Sequence, residues 1–212
     1  MAEIFVSHSK SDVDLKNFFA TVFSTTKVKA IWEEYEKIIN PELITSEKIK
    51  NDIKRSNAIF IILSQNVQNL LHSRDWILWE SGVGTINNKD IWVFEPFEQL
   101  GRISTIVPNL KHYVLFEINE PWFDYIYRII TSYDDSNILL TTTLKLNEII
   151  TLGGLINPVN DKLNNRPYGL PIRCISCSSV YNIHFPANAK ENNRFNFRCP
   201  VCNKILSIPC VN

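Results

Sequence analysis

A chain of 212 residues, 45% apolar and 21% charged, is long enough for one domain of ordinary size with an appendage and too apolar to be disordered. Its 22 basic and 22 acidic residues give a formal net charge of zero, so no whole-chain field favours nucleic acid or an anionic membrane. No run approaches the ~18 apolar residues of a membrane-spanning helix, and "MAEIFVSHSK" lacks the basic-then-apolar order of a signal peptide. The expected compartment is the cytoplasm.

The elements follow in order. "EIFVSHS" (3–9) reads as a buried strand that ends in polar residues. "SDVDLKNFFATVF" (11–23) places Val13, Leu15, Phe18, Phe19 and Val22 near helical spacing behind a capping Ser11 or Asp12. "KAIWEEYEKI" (29–38) reads as a short strand running into a loop. "TSEKIKNDIKRS" (45–56) is an exposed helix with Ile49 and Ile53 one turn apart. "NAIFIILS" (57–64) is the strongest central-strand signal in the chain. "NVQNLLHSRDWILWESGVG" (66–84) is helical in its second part and is expected to stop at Gly82 and Gly84. Strands follow at 90–97 and 112–118. A helix at 120–134 opens with Pro121 in its first turn and carries the stripe Trp122, Tyr125, Ile126 and Ile129.

Strand and helix alternate through this region, which predicts an α/β fold with a mostly parallel sheet covered on both faces. Ligands of such sheets gather at the carboxyl ends of the strands, where "SHS" and "SQN" would sit. Neither G-x-G-x-x-G nor G-x-x-x-x-G-K-[ST] occurs, which argues against a dinucleotide held in the Rossmann manner. Residues 135–170 read as a connecting segment with a short helix near 144–152, and no internal repeat stands out.

All five cysteines lie between residues 174 and 210. Cys174-x-x-Cys177 and Cys199-x-x-Cys202 are two knuckles whose four thiolates suit a tetrahedral Zn²⁺, and their β-rich flanks resemble a zinc ribbon over residues 171–212. A four-thiolate site is closed, so this zinc is expected to be structural. Cys210 and His184 are expected to be non-ligands. Residues 171–212 hold five basic residues against one acid, Glu191, and the first 170 hold 17 against 21. Arg173, Lys190, Arg194, Arg198 and Lys204, with Phe195 and Phe197, are of the type that contacts nucleic acid; a solubilising surface or a protein-docking module is the competing reading.

The opening "IFVSHS", the helix starting "SD", the apolar third strand and the W-x-x-x-E motif Trp76-Ile77-Leu78-Trp79-Glu80 together resemble the TIR (Toll/interleukin-1 receptor) domain over about residues 3–134. The resemblance implies a flavodoxin-like TIR domain at 1–134 with a mostly parallel five-stranded sheet. It also implies that Glu80 is the catalytic carboxylate of an enzyme cleaving the nicotinamide–ribose bond of NAD⁺. Ser7, His8 and Ser9 match the family's pocket edge, Trp32 its long loop after the second strand, and Trp76 shares the helix face of Glu80. The product would be ADP-ribose or a cyclic ADP-ribose signal read by an effector protein in antiviral defence. Homo-oligomers through TIR–TIR contacts are implied as well. The alternative within the family is a non-enzymatic scaffold whose zinc module docks a partner or nucleic acid. The alternative for Glu80 itself is a solvated glutamate near a helix end, where the helix dipole disfavours it by ~0.3–1 kcal/mol.

Overall fold

The sequence "AIFII" leaves no polar side chain for solvent, and the fold leaves it no solvent to meet. In the computed structural model, which describes residues 1–34, 44–69, 71–97, 111–134, 168–185 and 194–209, this strand is β3 (Ala58–Ile62) and all five of its side chains are buried. β1 (Glu3–His8) and β2 (Lys29–Glu34) lie to one side of it. β4 (Asp90–Pro96) and β5 (His112–Phe116) lie to the other. These five strands are parallel, in the order β2-β1-β3-β4-β5.

The sheet does not end at β5. The expectation of five strands is corrected to seven, because β6 (Tyr168–Arg173) and β7 (Val180–Phe185) form an antiparallel hairpin that continues it. β7 runs parallel to β5 and pairs His112 with Asn182, Tyr113 with Ile183 and Val114 with His184. The hairpin therefore begins three residues before the expected ribbon boundary at 171 and shares the main sheet. Two C-x-x-C motifs read as a self-contained unit; the free edge of β5 is what recruits the first half of it. β8 (Arg194–Arg198) and β9 (Ile205–Pro209) make a separate two-stranded sheet. The helix expected near 144–152 lies outside the described residues.

Strand alternation sorts the core into two layers. On one face, Phe5, Ile31, Ile59, Ile61, Ile91 and Val93 meet Ile49 and Ile53 of α2 (Ile44–Arg55) and Ile77 of α4 (Leu71–Ile86). α3 (Gln65–Asn69) leads into α4. On the other face, Ile4, Val6, Phe60, Ile62 and Phe94 meet Leu15, Phe19 and Val22 of α1 (Val13–Ser24). Trp122, Ile126 and Ile129 of α5 (Glu120–Thr131) complete that layer. α5 is capped by Asn119, whose side chain accepts from the Trp122 amide at 3.2 Å.

α4 does not stop at its glycines as expected but continues to Ile86. Gly84 is inside the helix because the helix lies hard against β3: a β-carbon there would stand 2.3 Å from Cδ1 of Ile59. The close approach, rather than a helix stop, is what the glycine serves. It also fixes how deep the preceding turn of α4, with Glu80, sits over the sheet.

Near the start of β5 two histidines are sealed into the layer under α5. His112 stacks on Trp92 with ring centroids 3.7 Å apart and planes 9° apart. His184 of β7 shares a hydrogen bond between Nδ1 and the Tyr125 hydroxyl. Burial lowers His112 to about 4, with Lys111 adding to the effect and Asp90 opposing it. Burial lowers His184 to about 3, and His112 adds to that. Both bind their protons more tightly in the unfolded chain. Stability is therefore complete above the unfolded pKa near 6.5 and is lost as pH falls through the folded values. The two together are expected to cost on the order of 5 kcal/mol between pH 6.5 and pH 4. His112→Phe, which keeps the stack on Trp92, should flatten that slope and move the acid midpoint down, as read by denaturant unfolding at a series of pH values.

Candidate functional site

A carboxylate in an apolar helix needs either water or a partner, and Glu80 has no water: it is fully buried. This excludes the solvated helix-end reading. α4 carries Glu80 over the carboxyl end of β1, where the Ser7 hydroxyl donates to Oε2 at 2.5 Å. Oε1 has no hydrogen-bond partner among the described residues. Burial pushes the Glu80 pKa up to about 8, and the charge of Glu33 adds to this; the Ser7 hydroxyl and, more weakly, the Trp76 indole oppose it. Trp76 sits one turn before Glu80 and stacks on Trp79 with centroids 4.9 Å apart. Its Nε1 lies near the carboxyl but outside hydrogen-bond geometry, so it too is a buried donor without a partner among the described residues.

Period-two alternation divides the other expected pocket residues. Ser7 shares the α4 face with Phe5, whereas His8 shares the α1 face with Val6. His8 meets Trp32 edge-on at 5.4 Å, and Trp32 meets Phe23 of α1. His8 Nδ1 lies 3.0 Å from the Glu33 carbonyl oxygen. His8 and Trp32 therefore pair with each other across the sheet from Glu80. The Ser9 hydroxyl accepts from the Ser11 amide at 3.2 Å, which ties it to the turn before α1.

Glu33 is the carboxylate that sequence reasoning missed. It lies on the Glu80 face, two residues after Ile31 in β2, and is nearly buried. Lys48 of α2 approaches it at 3.7 Å and Asp52 at 3.8 Å. The signal was the alternation in "IWEE", which puts residues 31 and 33 on the face of residues 5 and 7.

A separate cleft of about 540 Å³ opens at the carboxyl ends of β3, β4 and β5. It is lined by the start of α1, Asn66, Phe97 and the segment after β5; Glu80 does not line it. Asp12 at its edge gives its carboxylate to Ser64 and, at 2.7 Å, to the Asn66 side chain. The "SQN" segment thus binds the start of α1.

The second centre is the thiol cluster. The ligand atoms of Cys174, Cys177, Cys199 and Cys202 all lie within 4.8 Å of one another. Cys174 and Cys202 are 3.6 Å apart, and Cys177 and Cys199 are 3.9 Å apart. A tetrahedron with metal–sulfur bonds of about 2.3 Å has edges of about 3.8 Å, so the four can hold a metal ion. The two knuckles are built alike, a repeat the sequence reading did not register. Cys174 and Cys199 amides donate to the Ser179 and Lys204 carbonyls, both at 2.9 Å. Ser178 and Asn203 stand at the same place in each, with φ of 60° and 62°. Each knuckle reads Arg-Cys-x-x-Cys-x-x-Val/Ile (173–180 and 198–205).

Electrostatics fits the same donor set. Ser179 draws the Cys177 thiol down to about 6. Burial and the neighbouring cysteines hold Cys202 up at about 12. Four thiolates this close repel one another, and a bound cation removes that penalty. Phe195 and Phe197 stack at 5.4 Å and are buried in the layer that also holds Ile77 and Ile59, so the cluster is joined to the body's core. Cys210 lies outside the described residues, and His184 faces Tyr125 instead.

Comparison with protein-family models and with curated proteins gives no match for this chain.

Two outcomes are expected. Glu80, with its folded pKa raised from 4.5 to about 8, contributes stability that is complete below the unfolded pKa and lost as pH rises through 8. Glu80→Gln cannot ionise. It should melt above wild type at pH 8 and higher, by on the order of 4 kcal/mol, with the gap closing below pH 5; a gap independent of pH would show that Glu80 titrates normally. Cys199→Ser should lower bound metal measured by elemental analysis. Because β8 packs in the body's core, it should also destabilise the whole chain by on the order of 3 kcal/mol, seen in tryptophan fluorescence.

Proposed function

We propose that this chain is a TIR-like enzyme that cleaves the nicotinamide–ribose bond of NAD⁺, with Glu80 as its catalytic carboxylate. The observation that carries the reading is a fully buried glutamate with one oxygen fastened by Ser7 and the other without a partner among the described residues. It sits at the carboxyl end of a parallel strand, where ligands of such sheets bind.

The chemistry follows from charge. Nicotinamide leaves as a neutral group from a cationic ring, so the leaving group needs no proton. The demand is for a negative charge beside the ribose carbon on which cation character develops. Before substrate arrives, Glu80 is mostly neutral at pH 7. A cationic ring beside it draws its pKa down, so the proton is given up to solvent water as substrate enters, and the carboxylate then opposes the developing charge. Ser7 holds Oε2 through this change, and Glu33 adds to the negative potential. Attack by water gives ADP-ribose; attack by a group within the same molecule gives a cyclic ADP-ribose, suited to a signalling role in antiviral defence. For the thiol cluster we propose zinc in a structural role, since four thiolates leave no open coordination position.

A second reading rests on the same burial. A neutral acid with no accessible surface, bonded to a serine, is also what a non-enzymatic TIR scaffold would contain. One experiment separates the two: concentrated protein is incubated with NAD⁺, with and without a crowding agent, beside Glu80→Ala and Glu80→Gln. Nicotinamide and nucleotide products are resolved by chromatography and mass spectrometry. The enzyme reading expects nicotinamide release that falls about 100-fold or more in either variant. It also expects kcat/KM to rise about tenfold per pH unit and level off above pH 8, as the free carboxylate ionises. Equal turnover by the variants would remove Glu80 from catalysis, and no release under assembling conditions would leave the scaffold.

A further inference from the structure

The molecule has two ends of opposite character along its strand axis. The cleft lies at the carboxyl edge of the sheet. Its lining includes Asp12, Asp14 and Glu117, and no lysine or arginine is among the described residues that line it. Val13 and Ile118 also line it, each more than half exposed.

The two knuckles lie at the amino edge. β7 runs parallel to β5, so the knuckle that precedes β7 stands where the parallel strands begin; the Asn182 amide there donates to the Lys111 carbonyl at 2.8 Å. The thiol cluster holds the second knuckle beside the first. Their repeated pattern sets Arg173 opposite Val180 and Arg198 opposite Ile205, with Lys204 in the second turn. Ile175, Val180 and Ile205 are each more than half exposed. Of the nine large hydrophobic side chains exposed among the described residues, five belong to these two ends.

An acidic cleft with apolar residues and a basic knuckle end with exposed apolar side chains are complementary in charge and in apolar content. The first knuckle stands at the amino edge of the sheet that carries the cleft at its carboxyl edge, and the thiol cluster keeps the second beside it, so the two faces cannot meet within a chain. We infer that the knuckle end of one copy docks into the carboxyl-edge cleft of the next. The contact is heterologous, so its repetition builds an open head-to-tail chain and not a closed pair. It leaves Glu80, which does not line the cleft, outside the interface, and it holds whether or not Glu80 is catalytic.

The test uses the full, metal-loaded chain in sedimentation velocity over a range of concentrations and salt. Wild type should grow beyond a dimer as concentration rises and fall back toward monomer at high salt. Asp14→Lys with Glu117→Lys, and separately Arg173→Glu with Lys204→Glu, should each raise the apparent Kd of self-association about tenfold or more, with metal content and Tm unchanged. Mixed in equal amounts, the two variants present swapped but again opposite charges and should recover assembly. Ile205→Ser, which removes an exposed apolar tip and alters no charge, should weaken assembly at all salt concentrations. A monomer under every condition, assembly unaffected by either charge variant, or no recovery on mixing would overturn the inference. A monomer that binds a single-stranded oligonucleotide through Arg173 and Lys204 would overturn it in favour of nucleic acid.

Discussion

The parallel direction of β1 to β5 sets the polarity of everything else in this molecule. Parallel pairing requires each strand to return through a crossover, so all carboxyl ends lie at one edge and all amino ends at the other. Ser7, Glu33 and the start of α1 reach the carboxyl edge for that reason, although they are separated in sequence from Asn66 and Phe97, which share it. The β6–β7 hairpin then extends the sheet with β7 in the same direction, and this single choice sends the cysteine knuckle to the opposite edge. The carboxyl edge therefore holds Asp12, Asp14 and Glu117, and the opposite edge holds the thiols with Arg173, Arg198 and Lys204, beside Glu3 and Asp90, which are ion-paired to Lys29, Arg55 and Lys111. The near-zero net charge of the chain conceals this separation.

Both centres contain acidic groups whose ionisation burial makes costly. Burial raises the Glu80 pKa to about 8, and burial with the neighbouring cysteines raises those of Cys199 and Cys202, while Ser179 lowers that of Cys177. In each case the fold has placed acidic groups where their charged form is costly, and a positive charge would relieve the cost. Elsewhere the same problem is solved locally: Asp12 is taken by Ser64 and Asn66, and Glu95 by the Tyr113 hydroxyl. Asp52 is taken by Arg55 at 3.0 Å. The Oε1 atom of Glu80 differs from these in having no such partner among the described residues, which is why the functional proposal rests there and not on the other buried acids.

The sequence showed most of this order but not its depth. Apolar runs such as "NAIFIILS" and the period of "WFDYIYRII" locate a strand and a helix because burial on two faces or on one stripe leaves a direct mark on residue type. The four cysteines were equally legible, since few other chemistries need two C-x-x-C turns. Gly84 was misread as a helix stop because a glycine that ends a helix and one that admits a neighbouring strand look the same in one dimension. The division of Ser7 from His8 was available in the alternation of β1, yet a polar triplet after a strand invites reading as one cluster. The joining of β7 to β5 could not be read at all. It depends on a pairing between residues about 70 apart, and no local pattern in "VYNIHF" says which edge it will meet.

That long-range pairing links the thiol cluster to the rest of the fold. A small ribbon has too little core to fold by itself and depends on its metal. Here its phenylalanines lie in the same layer as Ile59 and Ile77, and Ile77 is one turn from Glu80 on α4. The hairpins complete the layer under α4, and α4 holds the carboxyl against Ser7; a metal on the four thiols would hold the two hairpins together. Any coupling between the knuckles and Glu80 would run through these packed side chains, with no polar relay required, so its strength would depend on how much of the α4 layer survives when the knuckles loosen.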